Sequence, residues 1–142
     1  MQTAQPPIPP FNHHPVMLLP SIYQVRDFTQ AMTPALLPFS VGKYNEDRRG
    51  MYTHDLFASN HGQRTIHMGI DLGAPINTPL YAFNDGIIYD FSYRSDPGDY
   101  GHVIITQHHF RDKNLWCLYG HLSAASIKGL YKKKSIKKGE CI

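Results

Sequence analysis

The chain has 142 residues, enough to bury one modest core but too few for two full domains. Hydrophobic residues make up 42%, with nine tyrosines and seven phenylalanines, a balance that suits a β-rich globule. The net charge is only +3, no apolar run approaches the twenty residues of a membrane-spanning helix, and two cysteines allow one disulfide at most.

Residues 1–20 carry six prolines. Proline at this density favours extended, polyproline-like chain without a ladder of its own. Residues 1–39 therefore read as a Pro-rich arm with short irregular elements, ahead of a domain spanning 40–142. The opening Met-Gln-Thr-Ala-Gln-Pro-Pro-Ile-Pro-Pro has neither a basic n-region nor an apolar h-region, so it is not a secretory signal. A cytoplasmic chain is the expectation unless an export sequence is missing. His13 and His14 have no third type of metal ligand near them in sequence. Between Ser21 and Ser40, Phe28, Met32, Leu36 and Leu37 approach helical spacing, but Pro34 and Pro38 interrupt it. Gly42 to Arg49 is polar and charged and reads as a solvated connector with local ion pairs. A place for Tyr44 or Arg48 in a substrate groove is the sharper reading.

The stretch from Arg64 to Ala74 places His67 and Asp71 four residues apart, with Gly69 between them. An imidazole and a carboxylate form a mixed ligand pair for zinc, whose catalytic sites use three protein ligands and a water. On a straight strand the two side chains stand roughly 13 Å apart, too far to share one ion. A helix would bring them to about 6 Å, but two glycines, two isoleucines and Pro75 oppose one here. Chelation thus requires a bend, and Gly69, lacking a Cβ, is the residue expected to supply it. The plain alternative is a surface histidine beside a turn aspartate.

Strands become legible after this motif. Pro79 to Phe83 is a short apolar segment, Asn84-Asp85-Gly86 reads as a hairpin turn, and Ile87 to Tyr93 is the expected return strand. Ser95 to Asp99 forms a wider turn. Gly101–His109 and Leu115–Leu122 follow as strands joined by a turn at 111–114. Short turns between strands predict an antiparallel sheet with little helix. His108 and His109 are adjacent, so on a strand they face opposite sides, and with His102 they read as structural or surface residues. Cys117 and Cys141 lie outside any Cys-x-x-Cys motif and read as reduced, inert thiols. Residues 128–142 hold six lysines against Glu140, a net of +5 beside −2 elsewhere. No aromatic stacking pattern accompanies them, so a solvated turn is expected and nucleic acid is not.

Taken in order, several segments resemble the lysostaphin-type zinc metallopeptidases, a family of glycyl-glycine endopeptidases and peptidoglycan hydrolases. They are His67-Met68-Gly69-Ile70-Asp71-Leu72-Gly73-Ala74-Pro75, Thr78-Pro79-Leu80-Tyr81-Ala82, Asp85-Gly86-Ile87-Ile88, Tyr100-Gly101-His102-Val103-Ile104-Ile105, Leu118-Tyr119-Gly120-His121-Leu122 and Lys137-Lys138-Gly139-Glu140-Cys141-Ile142. The resemblance spans roughly residues 40–142. It implies a mainly β, barrel-sandwich-like antiparallel fold, zinc as cofactor, and peptide or peptidoglycan as substrate. It also implies His67 and Asp71 as the first two zinc ligands and His121 as a catalytic histidine that does not ligate. The family's third ligand comes from a later His-x-His pair, and no histidine follows His121 here. An incomplete peptidase domain is thus expected. A non-catalytic binding or regulatory module on the same scaffold is the alternative. A biotinyl or lipoyl carrier is disfavoured, since no lysine stands at a hairpin tip between small or Met residues.

Overall fold

The computed structural model describes residues 12–29, 34–60, 62–110 and 112–142. Among them the fold is mainly β, with short 3-10 turns at Asp55–Phe57 and Ala124–Ile127 and no α-helix. No helix there is long and apolar enough to cross a membrane.

The strands in chain order are β1 (Gln24–Arg26), β2 (Ser40–Gly42), β3 (Glu46–Asp47), β4 (Ala58–Ser59), β5 (Gly62–Gln63), β6 (Ile66–His67), β7 (Leu72–Gly73), β8 (Gly86–Arg94), β9 (Gly101–Phe110), β10 (Lys113–Leu122) and β11 (Ser135–Ile136). The three longest form a meander, and with β11 they make an antiparallel sheet in the order β10-β9-β8-β11. Their sequences are rich in isoleucine, tyrosine and threonine, side chains that pack well on a pleated surface. On β9 the alternate residues Ile104, Thr106 and His108 are all fully buried, the period of two expected of a strand with one face on the core. Ala82, Ile88, Ile104 and Ile136 form the centre of that core, backed by Phe91, Leu122, Ile127, Leu130 and Ile142.

His108 belongs to this core. Its Nδ1 donates to the Asp85 carbonyl at 2.9 Å, which leaves Nε2 to accept from Thr106 Oγ1 at 2.7 Å. Both ring nitrogens are satisfied, as the structural reading expected. Cys117 and Cys141 are both free thiols, and burial pushes the Cys117 pKa up, away from the reactive thiolate.

Three expectations are corrected. The Asp85-Gly86 pair does not close a hairpin, because Pro79–Phe83 never pairs with β8. Instead Tyr81 bridges to Cys141, and β8 lies between β9 and β11. Gly86 is needed for room: a Cβ there would stand 2.5 Å from His108 Nδ1 and closer still to the Gln107 carbonyl. Nor does the arm lack backbone pairing where it is described. The His14 N–H donates to the Phe83 carbonyl and the Tyr81 N–H to the Val16 carbonyl, both at 2.8 Å, while Met17 and Phe28 are buried. β1 runs parallel to β2, which pairs in turn with β7. Met32, counted above toward a helical period, lies outside the described residues. Finally, the polar connector is solvated only in part: Lys43, Tyr44, Asn45 and Arg49 are exposed, whereas Glu46 and Arg48 are each only 4% exposed.

The outer strand of the main sheet, β10, has no neighbour on its far side among the described residues. Leu115, Trp116 and Leu118 on it are exposed.

Candidate metal centre

The site is built from two chain segments that run antiparallel and bend together. Residues 40–41 pair with 72–73, and 46–47 pair with 66–67. Between these short ladders the first segment turns through Asn45, whose φ is 59°. The second bends at Gly69, where the sequence expects it. Backbone bonds fix the register across the break: the Gly42 N–H donates to the Asp71 carbonyl at 2.9 Å and the Asn45 N–H to the His67 carbonyl at 2.9 Å. Gly69 itself does not take a positive φ. Its contribution is space, because a Cβ there would sit 3.1 Å from His67 Nε2.

The bend brings the two side chains together. His67 Nε2 lies 3.6 Å from Asp71 Oδ1. Two zinc ligands at their usual bond lengths in a tetrahedral shell stand about 3.4 Å apart, so this pair is spaced as two corners of such a shell. His67 Nδ1 is buried with no hydrogen-bond partner. That atom lies across the ring from Asp71, so an ion shared by Nε2 and Oδ1 would leave it unpaired, at a cost of about 1–3 kcal/mol. The donor set, one imidazole and one carboxylate, suits zinc. Among the described residues no group of three His, Cys, Asp or Glu side chains converges, which leaves His67 and Asp71 as the candidate pair.

The other Asp71 oxygen is taken. Arg48 Nη2 lies 2.5 Å from Asp71 Oδ2 and 2.7 Å from Glu46 Oε2, while its Nε donates to the same Glu46 oxygen at 3.1 Å. Glu46 Oε1 accepts the Phe28 N–H at 3.1 Å, and the guanidinium carbon sits 4.6 Å above the Phe28 ring. Burial opposes the Arg48 charge, but Asp71 and Glu46 outweigh it and raise its pKa above the ordinary guanidinium value. With Asp71 and Glu46 ionised, this trio carries a net charge of −1 facing His67.

Tyr52 closes one side, stacked on Phe57 at 4.2 Å and edge-on to His67 at 6.5 Å. Burial raises its pKa, while the nearby Arg48 pulls it back. His121 stands beside Tyr100, with the two rings 6.3 Å apart. The β9–β10 register breaks between Tyr119 and Leu122, and within that bulge His121 takes a φ of 56°. Its N–H donates to the Tyr100 carbonyl at 2.6 Å. Bulges commonly re-aim a side chain beside a functional site. His102 stacks on Tyr93 at 4.4 Å.

Sequence reasoning missed Glu46 as part of this site, along with Tyr52 and Tyr100. The available signal was the Glu46-x-Arg48 alternation, which places both side chains on one face of an extended segment.

The model of peptidase family M23 matches residues 65–142. Over 61 residues the chain is 38% identical to the DD-carboxypeptidase/endopeptidase Mpg of Neisseria meningitidis serogroup B and, equally, to that of Neisseria gonorrhoeae. Each alignment covers 43% of this chain and 13% of the relative, so the shared stretch is a small part of those proteins. No solved structure matches the chain.

Proposed function

The chain belongs to peptidase family M23, and from that premise we propose that it is a zinc-dependent peptidase domain directed at peptide bonds of cell-wall peptidoglycan. The observation that carries the reading is the 3.6 Å approach of His67 Nε2 to Asp71 Oδ1 across a backbone bend. The endopeptidase named in the aligned relatives supports a peptide substrate. In this reading His67 and Asp71 are two protein ligands of the ion. The third ligand is not one that converges on the pair among the described residues, and a further segment is one source for it. Zinc so held supplies Lewis-acid chemistry, polarising a carbonyl and activating water near neutral pH.

The chain's own residues do the rest. Arg48 and Glu46 neutralise each other and leave the negative charge of Asp71, which favours a cation. The half-buried Tyr52 limits water on one side. His121 holds or passes a proton at the scissile group, or donates a hydrogen bond to the charge that develops on its oxygen; its placement on a bulge beside Tyr100 supports this role. A second reading, a non-catalytic module on the same scaffold, draws support from the absence of a third convergent ligand among the described residues.

Zinc titration of the full chain, with release of free amines from peptidoglycan followed in parallel, separates the two. The peptidase reading expects one equivalent of zinc, lost in His67→Ala and in Asp71→Ala but retained in His121→Ala. It also expects hydrolysis once a histidine-bearing third segment is present, and loss of that hydrolysis in His121→Ala. Zinc binding without hydrolysis under those conditions favours the module. No binding at micromolar zinc rejects the peptidase reading.

A further inference from the structure

We infer that Arg48, anchored by Glu46, is the positioning residue of this metal site: its guanidinium captures Asp71 Oδ2 and so holds Oδ1 toward His67. The inference rests on the zinc reading above and deepens it.

Charge neutrality alone does not explain the contact. Glu46 already neutralises Arg48, through two hydrogen bonds to one oxygen in a fully buried pair. Asp71 is 43% exposed at its side chain and has water available to it. A carboxylate free to face solvent is instead turned inward at 2.5 Å from Arg48 Nη2. A planar guanidinium can hold two carboxylates in a fixed arrangement, whereas an ammonium is a rotating point charge.

The surroundings are shaped for the same contact. Phe28 lies beneath the guanidinium, and its N–H holds the far oxygen of Glu46. Gly42 clears the approach, since a Cβ there would stand 2.7 Å from Asp71 Oδ2 and 2.8 Å from Phe28 Cε2. Asp71 thus divides its two oxygens, one for the cation the protein supplies and one for the cation it would bind. Partners that orient a ligating carboxylate typically contribute about 10–100-fold in metal affinity.

Glu46 makes a clean test possible. Removing Arg48 alone would bury an unpaired Glu46 carboxylate, a change that by itself destabilises strongly. The double variant Glu46→Gln/Arg48→Met removes one charge of each sign, so the site keeps its net −1 while the guanidinium is gone. Zinc affinity of the full chain is measured by competition with a chelating dye, and folding without metal is followed separately by circular dichroism and melting. The expected result is a folded double variant that binds zinc at least tenfold more weakly than wild type. Arg48→Lys, which keeps the charge without the fork, is expected to fall in the same direction and serves as the readout if the double variant does not fold. A purely structural role for Arg48 would lower the metal-free melting temperature and leave the affinity of the folded protein unchanged. Affinity within twofold of wild type, or tighter, in a folded variant overturns the inference and leaves the zinc reading intact. Failure of the wild-type chain to bind zinc overturns both.

Discussion

His121 carries the least comfortable backbone near the candidate site. Its φ of 56° places a side chain with a Cβ in the left-handed region, which costs an L-residue about 1–2 kcal/mol relative to ordinary backbone. Such outliers persist only where neighbours hold them, and here the Tyr100 carbonyl holds the His121 N–H. Replacing His121 by Ala keeps the backbone cost, whereas Gly removes it. His121→Gly should therefore unfold later than His121→Ala in urea, by about 1 kcal/mol, although both lose the imidazole. Equal stability of the two would mean that the bulge relaxes without cost. Individual residues also show where sequence reading succeeds. The spacing of His67 and Asp71 with a glycine between them was enough to require a bend. Arg48 and Glu46 were harder, because two charges on alternate positions resemble a solvated face. Their burial depends on Phe28, distant in sequence, and on Asp71 beyond the bend.

Strands were legible in proportion to their own chemistry. β8, β9 and β10 carry β-branched and aromatic residues in alternation, and they fall within a few residues of expectation. The turn around Ser95–Asp99 also forms, with the Asp99 N–H donating to the Asp96 carbonyl at 2.9 Å. The Asp85-Gly86 hairpin failed because its supposed first strand finds other partners: the Ala82 N–H donates to the Glu140 carbonyl at 2.9 Å. A turn signal describes local backbone preference and is silent about which distant segment competes for the ladder. Gly86 nevertheless matters, for a reason of contact. Gly86→Ala forces a methyl against the Gln107 carbonyl and the buried His108 ring, and overpacking of this kind costs about 1–3 kcal/mol. Thermal unfolding of that variant should show a loss in this range. A change near zero would indicate that β8 and β9 separate easily at this point.

Across the molecule, the lysine surplus is partly spent inside the fold. Lys132 pairs with Asp90 at 2.9 Å, Lys137 lies 3.6 Å from Asp85, and the Lys138 N–H donates to Asp85 at 2.8 Å. These contacts tie the basic tail to β8 and the chain leading into it. Asp85 is held below the usual carboxylate range chiefly by the Lys138 N–H and Asp90 chiefly by Lys132, as Asp27 is chiefly by Lys43. A group whose pKa is lowered by folding contributes stability above its unfolded value and loses it as pH falls through the folded one. Resistance to urea, followed by circular dichroism, should therefore decline as pH drops below the ordinary carboxylate value of 3.8. These carboxylates are exposed, so salt should shrink the decline. A decline that begins near pH 6, or ignores salt, would assign acid sensitivity to other groups.

Trp116 is the only tryptophan in the chain, and it sits half wet at the open rim of β10 with its ring edge-on to Tyr89 at 6.1 Å. An unpaired strand edge is a template for another strand, and indole emission shifts toward the blue as water leaves its surroundings. The molecule thus carries a native optical sentinel at the place where an incoming strand, whether extra polypeptide or a second copy, would first make contact. The colour of that single fluorophore reports arrivals at the rim without any label.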